Sequence, residues 1–196
     1  MRLVVATRNE HKLRELRALL PDHELEPLPH GVELPPETGS TFGENARSKA
    51  RAAAAATGSA AIADDSGIEA SALGGRPGVN SARFAGEEAS DGENLDKLLR
   101  EVPAGGDRRV AYVCVLAYVD EGGEERLFEG RCEGTLAEEP RGTGGFGYDP
   151  AFIPDDVGDG RTMAELDPAE KDAISHRGRA ARALRKWLSE AGRAAA

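Results

Sequence analysis

Cysteine is scarce in this chain, long apolar runs are missing and basic side chains are outnumbered by acidic ones. Each shortage removes a class of function. The two cysteines, Cys114 and Cys132, are too few for a disulfide framework and lack the spacing of a zinc site. They fall on segments that read as paired strands and are expected as buried thiols, with a cross-strand disulfide as the alternative. No apolar stretch is long enough to span a bilayer, and the run inside MRLVVATRNEHK is too short for a signal-peptide core. A cytoplasmic protein with no membrane partner is therefore expected. Lys and Arg number 25 against 35 Asp and Glu, a net charge of −10 that disfavours nucleic acid and anionic lipid as partners. A small polyanionic substrate is compatible with that field if a cation and local basic groups offset it. No internal repeat, linker or low-complexity segment is visible beyond an alanine-rich helix and tail.

What is present suffices for a full core. With 196 residues, 39% of them hydrophobic, the chain reads as one domain over 1–196, with room for two lobes. Leu3 to Ala6 reads as a buried strand, and Asn9 opens a helix with Leu13, Leu16, Leu19 and Leu20 at helical spacing. A second strand is expected over Leu25 to Leu28, then a proline-rich loop from Val32 to Thr38. Thr41 and Glu44 have capping-box spacing, and the helix they open runs to Thr57 with Gly58 as its stop. Ala60 to Ala63 reads as a short strand that ends in Asp64 and Asp65. Gly74 to Gly78 and Gly86 read as irregular loop, and Asp91 as the cap of a helix through Val102. Val110 to Val119, apolar on both faces, reads as a central strand that Gly122 and Gly123 turn into a partner from about Glu124 to Gly134. A glycine-rich loop from Gly142 to Pro150 follows. Asp167, Pro168 and Glu170 mark a strong helix start, and Ser175 can cap a further helix through Trp187. Strands alternating with helices, plus one hairpin, indicate an α/β fold with a mixed sheet.

Four stretches carry chemistry. Two acids at a strand end, followed by Ser66 and Gly67, place negative charge where a divalent cation or a water nucleophile can be held; an Asx turn or helix cap is the alternative. Asp65 can activate water or bind magnesium, and Glu37 can add an oxygen ligand. Glu44 can too, although its capping position favours a structural role. Lys49, four residues after Asn45 on one helix face, can neutralise a phosphate, against the alternative of a solvated lysine. Residues 6–12 join a strand to a helix, and helix N-termini suit phosphate; Thr7, Asn9 and Lys12 add side-chain donors there. Plain capping by Thr7 or Asn9 is the other reading. In the third stretch, glycines set Phe146, Tyr148 and Asp149 on a tight loop where an aromatic can stack a nucleobase and a carboxylate can accept from it. Core filling is the alternative. Fourth, Lys171 lies one turn before His176 and Arg177, three donors suited to phosphate or a base carbonyl, or else to an exposed basic face.

Taken in order, ATRNEHK, ETGSTFGENARSKA, ADDSGIEA, LGGRPGVNSARFAG, GTGGFGYDP and EKDAISHRGRA resemble the inosine triphosphatase family. These are house-cleaning nucleoside triphosphate pyrophosphatases acting on noncanonical purines, and the match to the bacterial branch spans nearly the whole chain. The resemblance implies hydrolysis of dITP, ITP and XTP to the monophosphate and pyrophosphate, dependence on Mg2+, and a homodimer. It also implies a long mixed sheet with two α/β lobes flanking a substrate cleft. Carried over by position, Asp65 would be the general base and a metal-associated acid with Asp64 beside it, and Glu37 a second metal ligand. Thr7, Arg8, Asn9, Glu10, His11, Lys12 and Lys49 would hold the triphosphate, with Ser66 lining the site. Phe146, Gly147, Tyr148, Asp149, Lys171, His176 and Arg177 would surround purine and sugar. Arg8 stands where many relatives have glycine, and Glu37 stands alone where relatives often carry paired acids. Arg83 lies in a matching stretch with either a substrate or a structural role.

Attack at the α-phosphorus needs a polarised phosphoryl group, a deprotonated water and a stabilised leaving group, which magnesium, Asp65 and the basic residues would supply. No pairing of nucleophile and base among the cysteines and histidines suggests a covalent intermediate. Two other readings stand: a nucleotide-binding regulatory protein that does not hydrolyse, and an enzyme for another triphosphate. The acid pair weighs against the first, since two carboxylates beside a polyanion are costly without a metal.

Overall fold

A computed structural model describes residues 1–194; the last two residues of the alanine-rich tail lie outside the described part. The chain forms β1 (Arg2–Val5), α1 (Glu10–Leu19), β2 (Glu24–Pro27), α2 (Phe42–Thr57), β3 (Ala61–Ala70), α3 (Asp91–Glu101), β4 (Arg109–Val119), β5 (Glu125–Leu136), β6 (Phe152–Pro154), α4 (Pro168–Ile174) and α5 (His176–Ala194). The strands form a sheet in the order β2-β1-β3-β4-β5-β6. β1 pairs in parallel with β2 and with β3, whereas β5 and β6 are antiparallel, so the sheet is mixed as expected. Two compact units divide the residues. The first holds Met1–Asp65, Cys114–Gly130 and the residues from Arg177 onward; the second holds Ser66–Val113 and Arg131–His176.

In the first unit the two-residue period of the strands sorts side chains onto two faces. Leu3 and Val5, Ile62, and Cys114, Leu116 and Tyr118 pack with Leu16 and Leu20 of α1 and its end and with Ala180, Ala181 and Leu184 of α5. Their neighbours Val4, Ala61, Ala63, Ala117 and Val119 pack instead on Ala46, Ala50, Ala53 and Ala54 of α2. The alanines let that helix lie close to the sheet. In the second unit, Ile68, Tyr112, Cys132 and Leu136 pack with Leu95 and Leu98 of α3 and with Phe152 and Met163. Cys114 and Cys132 are free, buried thiols.

Local signals held well. Thr41 accepts from the Glu44 N–H while Glu44 reaches back, and Gly58 ends α2 in the left-handed region, φ 65°. Four expectations need correction. The strand through Ala60–Ala63 does not end at the acids: β3 continues to Ala70, leaving Asp64 and Asp65 inside a central strand rather than at a sheet edge. The cap of α3 is Ser90, whose side chain accepts from Glu93; Asp91 lies within the helix and accepts from the Gly147 N–H at 2.7 Å. Ser175 stands immediately before α5, as expected, and also closes α4 by donating its N–H to the Lys171 carbonyl at 2.8 Å, but α5 extends past Trp187 to Ala194. Last, β2 is offset by one residue from the expected span.

Candidate active site

The period of β3 also decides the fate of the two acids. Asp64 follows Ile62 onto the face covered by α1 and α5, and Asp65 follows Ala63 onto the face covered by α2. Neighbours in sequence, they meet different partners.

Asp64 is buried in a cationic setting. Lys12 Nζ and Arg177 Nη2 each lie 3.0 Å from its Oδ2, and Arg177 Nη1 donates to Glu15 at 2.5 Å. Burial alone would raise its pKa, but Lys12, Arg177 and Lys49 outweigh burial and hold Asp64 far below the usual carboxylate range. Arg177 is raised in turn: burial opposes its charge, and Asp64 and Glu15 overcome that. Cys114, on the same face, is pushed up to about 12 by burial and then by Asp64, which leaves no thiolate for nucleophilic attack.

Asp65 has fewer cations around it. Asn45 Nδ2 donates to its Oδ2 at 2.8 Å while Asn45 Oδ1 accepts the Gly39 N–H at 2.8 Å, so one amide ties the carboxylate to the loop before α2. A Cβ on Gly39 would stand 2.6 Å from that Oδ1, a contact only glycine avoids. Lys49 is buried rather than solvated. Its Nζ donates to Glu37 and, at 2.7 Å, to the Asp64 carbonyl, and stands 3.9 Å from Asp65 Oδ1. Burial raises the Asp65 pKa, Glu37 adds to the rise, and Lys49 and Asn45 only partly offset them. A carboxylate poised upward beside a fully ionised one is the pattern expected of a general base next to an electrostatic anchor.

The 6–12 stretch divides its work. Thr7 Oγ1 accepts the Asn9 N–H, and Asn9 Oδ1 accepts from the His11 and Lys12 N–H groups, so both act as caps. Glu10 is exposed in the first turn, and His11 Nδ1 contacts Arg14. Arg8 donates to the carbonyls of Leu28, Pro29 and Val32, fastening the segment after β2, and its backbone is not in the left-handed region. Within this stretch it is Lys12 that reaches an acid of β3.

The second unit gathers the other group. Asp149 is buried, accepting from Tyr112 Oη at 3.1 Å, Lys171 Nζ at 2.7 Å and the Phe146 N–H at 2.9 Å. Gly145, at φ 72°, permits this wrap, since a Cβ there would collide with Asp149 Oδ2. Lys171 Nζ also stands 5.1 Å from the Phe146 ring centre. Tyr112 is stacked between His176 at 4.5 Å and Phe152 at 4.3 Å. Tyr148 is buried with its hydroxyl on the Ser81 carbonyl at 2.7 Å, a core role, and burial raises its pKa. Gly147 carries the N–H bound by Asp91. Ser66 is half-buried on β3, and Arg83 lies 3.8 Å from Glu87, four residues on in the following turn.

Sequence reasoning placed Arg177 with Lys171 and His176, but the guanidinium is spent on Asp64 and Glu15 because consecutive residues at the start of α5 point in different directions. Glu15 and Asn45 were missing from the expected site. Their signals were faint but present: Glu15 lies three residues from Lys12 on one helix face, and Asn45 four from Lys49.

For a divalent cation, the oxygen donors of Glu37 and Asp65 suit magnesium, which takes one or two carboxylates together with phosphates and water. Among the described residues no three His, Cys, Asp or Glu side chains are gathered to hold a metal by themselves. The cation that stands at these oxygens is the Lys49 ammonium.

A profile of the Ham1 family matches residues 3–187. A protein of Symbiobacterium thermophilum named dITP/XTP pyrophosphatase is 54% identical over 185 residues, covering 91% of this chain and 90% of its own length. One of Streptomyces coelicolor with the same name is 49% identical over 192 residues, covering 93% and 94%. The solved structure of a HAM1 protein from Coxiella burnetii superposes with TM-score 0.87 at 44% identity, covering 97% of this chain and 99% of that one. With most of its length matched by the family profile and by relatives at about half identity, this chain belongs to the Ham1 family.

Proposed function

We propose that this protein hydrolyses noncanonical purine nucleoside triphosphates, dITP, ITP and XTP, to the monophosphate and pyrophosphate. The relatives' shared name, dITP/XTP pyrophosphatase, supports the substrate class. The observation that carries the chemistry is the division of labour between adjacent acids, Asp64 ionised under Lys12 and Arg177 and Asp65 raised beside Asn45 and Lys49.

In this reading Asp65 accepts the proton of the attacking water at Oδ1, the oxygen on the side of Lys49. Asn45 fixes the other oxygen and so the plane of the carboxylate. Lys12 and Lys49 neutralise the phosphate chain, and Asp64 holds Lys12 in place from below. Mg2+ held by Glu37 and Asp65 would supply Lewis-acid polarisation of the phosphoryl group and charge neutralisation of the leaving pyrophosphate. Lys171, His176, Phe146 and Asp149 receive the purine. The resemblance adds a homodimer in the cytoplasm; no described helix is long and apolar enough to cross a membrane.

The deciding experiment is product analysis with a panel of nucleotides. ITP, dITP and XTP should yield pyrophosphate and monophosphate, with ATP and GTP turned over far more slowly. Sequential release of orthophosphate would overturn attack at the α-phosphorus, and binding without turnover would return the chain to a regulatory nucleotide-binding role.

A further inference from the structure

Lys49 is an unusual candidate for phosphate binding, because its charge is already committed to oxygens of this chain. Its side chain is buried beneath the loop that carries Glu37. An ammonium offers three donors, and here one goes to Glu37 Oε1 and one to the Asp64 carbonyl, while Asp65 Oδ1 stands at 3.9 Å. Glu37 and Asp65 are the two carboxylates with the right chemistry for a divalent cation. Two cations cannot share them at close range: magnesium binds oxygen at about 2.0–2.1 Å and demands near-octahedral geometry, which the ammonium obstructs.

We infer that Lys49 is a place-holder for the divalent cation: its ammonium holds Glu37 and Asp65 together until metal entry drives it off Glu37 and toward the phosphate chain. This rests on the metal-dependent reading above and assigns a regulated exchange within that site. Several features fit the exchange. The pair of acids would repel each other across the site without a resident cation, so Lys49 keeps the loop before α2 ordered around the Asn45 bridge to Gly39. The departing ammonium remains tethered to α2, one turn from Asn45. Metal entry and phosphate capture are then linked, because the ion that occupies the acids also releases the lysine.

The test is calorimetric titration of Mn2+ into the substrate-free protein, comparing wild type with Lys49→Met, Lys49→Gln and Lys12→Met. If the ammonium occupies the acids about nine-tenths of the time, its removal should tighten Mn2+ binding about tenfold. Both Lys49 variants should show this, and Lys49→Gln keeps a donor for the Asp64 carbonyl should the methionine fold poorly. Lys12→Met, which removes a like charge from the opposite face of β3, should tighten binding by much less. Equal tightening in all three variants would reduce the effect to general charge and overturn the inference. So would unchanged or weaker binding in the Lys49 variants, or no binding to any of the proteins without nucleotide. None of these results touches the hydrolysis reading, which pyrophosphate release decides separately.

Discussion

Lys12 and Arg177 close on the same oxygen, Oδ2 of Asp64, each at 3.0 Å. Cations from α1 and from the start of α5 thus converge on a strand that neither element adjoins in sequence, and the carboxylate between them is wholly withdrawn from water. Asp64 is an anchor in this arrangement, and Asp65 is the acid left with adjustable charge.

Asp65→Asn should lower turnover about a hundredfold or more while the protein stays folded, as expected for loss of a general base. Turnover near the wild-type value in a folded variant would move the role elsewhere, with Asp64 the next candidate.

Stability should respond to the two acids with opposite signs. The folded pKa of Asp64 is depressed, so its contribution is present above its unfolded pKa of about 3.9 and is lost as pH falls through the folded value. Asp65 is raised, so its contribution is fully present below its unfolded pKa and lost as pH rises through the folded value. At neutral pH, Asp64→Asn leaves the buried Arg177 and the half-buried Lys12 undercompensated and should cost about 3 kcal/mol or more. Asp65→Asn should be at least as stable as wild type. Denaturant unfolding at pH 7 and near pH 3 checks both, and the deficit of Asp64→Asn should shrink at the lower pH. A deficit independent of pH would mean that Asp64 stabilises by packing alone.

The contrast shows what the sequence made legible. Capping boxes at Thr41 and Asp167 were readable because partner and cap are three residues apart and the geometry is local. The charge state of Asp64 was not, since Arg177 lies 113 positions away. The strand appeared to stop at Ala63 because Asp, Ser and Gly are turn formers by composition; tertiary pairing of β3 inside the sheet overrode that preference. The burial of Lys49 was equally hidden, its three oxygen partners being supplied by the loop before α2 and by β3. The backbone of the Phe146 loop was easier to read, because its glycines announce an unusual conformation and Gly145 does sit at positive φ.

Metal dependence is expected to be complete. Chelation with EDTA should abolish turnover and added Mg2+ should restore it, and full activity after exhaustive removal would take the metal out of the mechanism. Glu37→Gln should raise the Mg2+ concentration needed for half-maximal rate. An unchanged metal titration would return Glu37 to a loop-fastening role through Lys49 alone.

Base selection should reside in the second unit, not in Arg177. Hypoxanthine and xanthine present a carbonyl at C6 where adenine presents an amino group, so a donor aimed there gains a hydrogen bond from the right base and faces another donor in the wrong one. Sites built on such pairing can discriminate by about 10⁴-fold. Lys171 is suited to that pairing, because Asp149 holds it at 2.7 Å and the Phe146 ring lies 5.1 Å away, leaving the ammonium oriented at an aromatic surface. Lys171→Met should therefore lower kcat/KM for ITP far more than the residual value for ATP and narrow their ratio. Arg177→Ala should lower both values by a similar factor and destabilise the protein, because it strips Asp64 and Glu15 of their shared partner. A narrowed ratio in Arg177→Ala with an unchanged ratio in Lys171→Met would reverse the assignment, requiring the guanidinium to leave Asp64 and turn to the base when nucleotide binds.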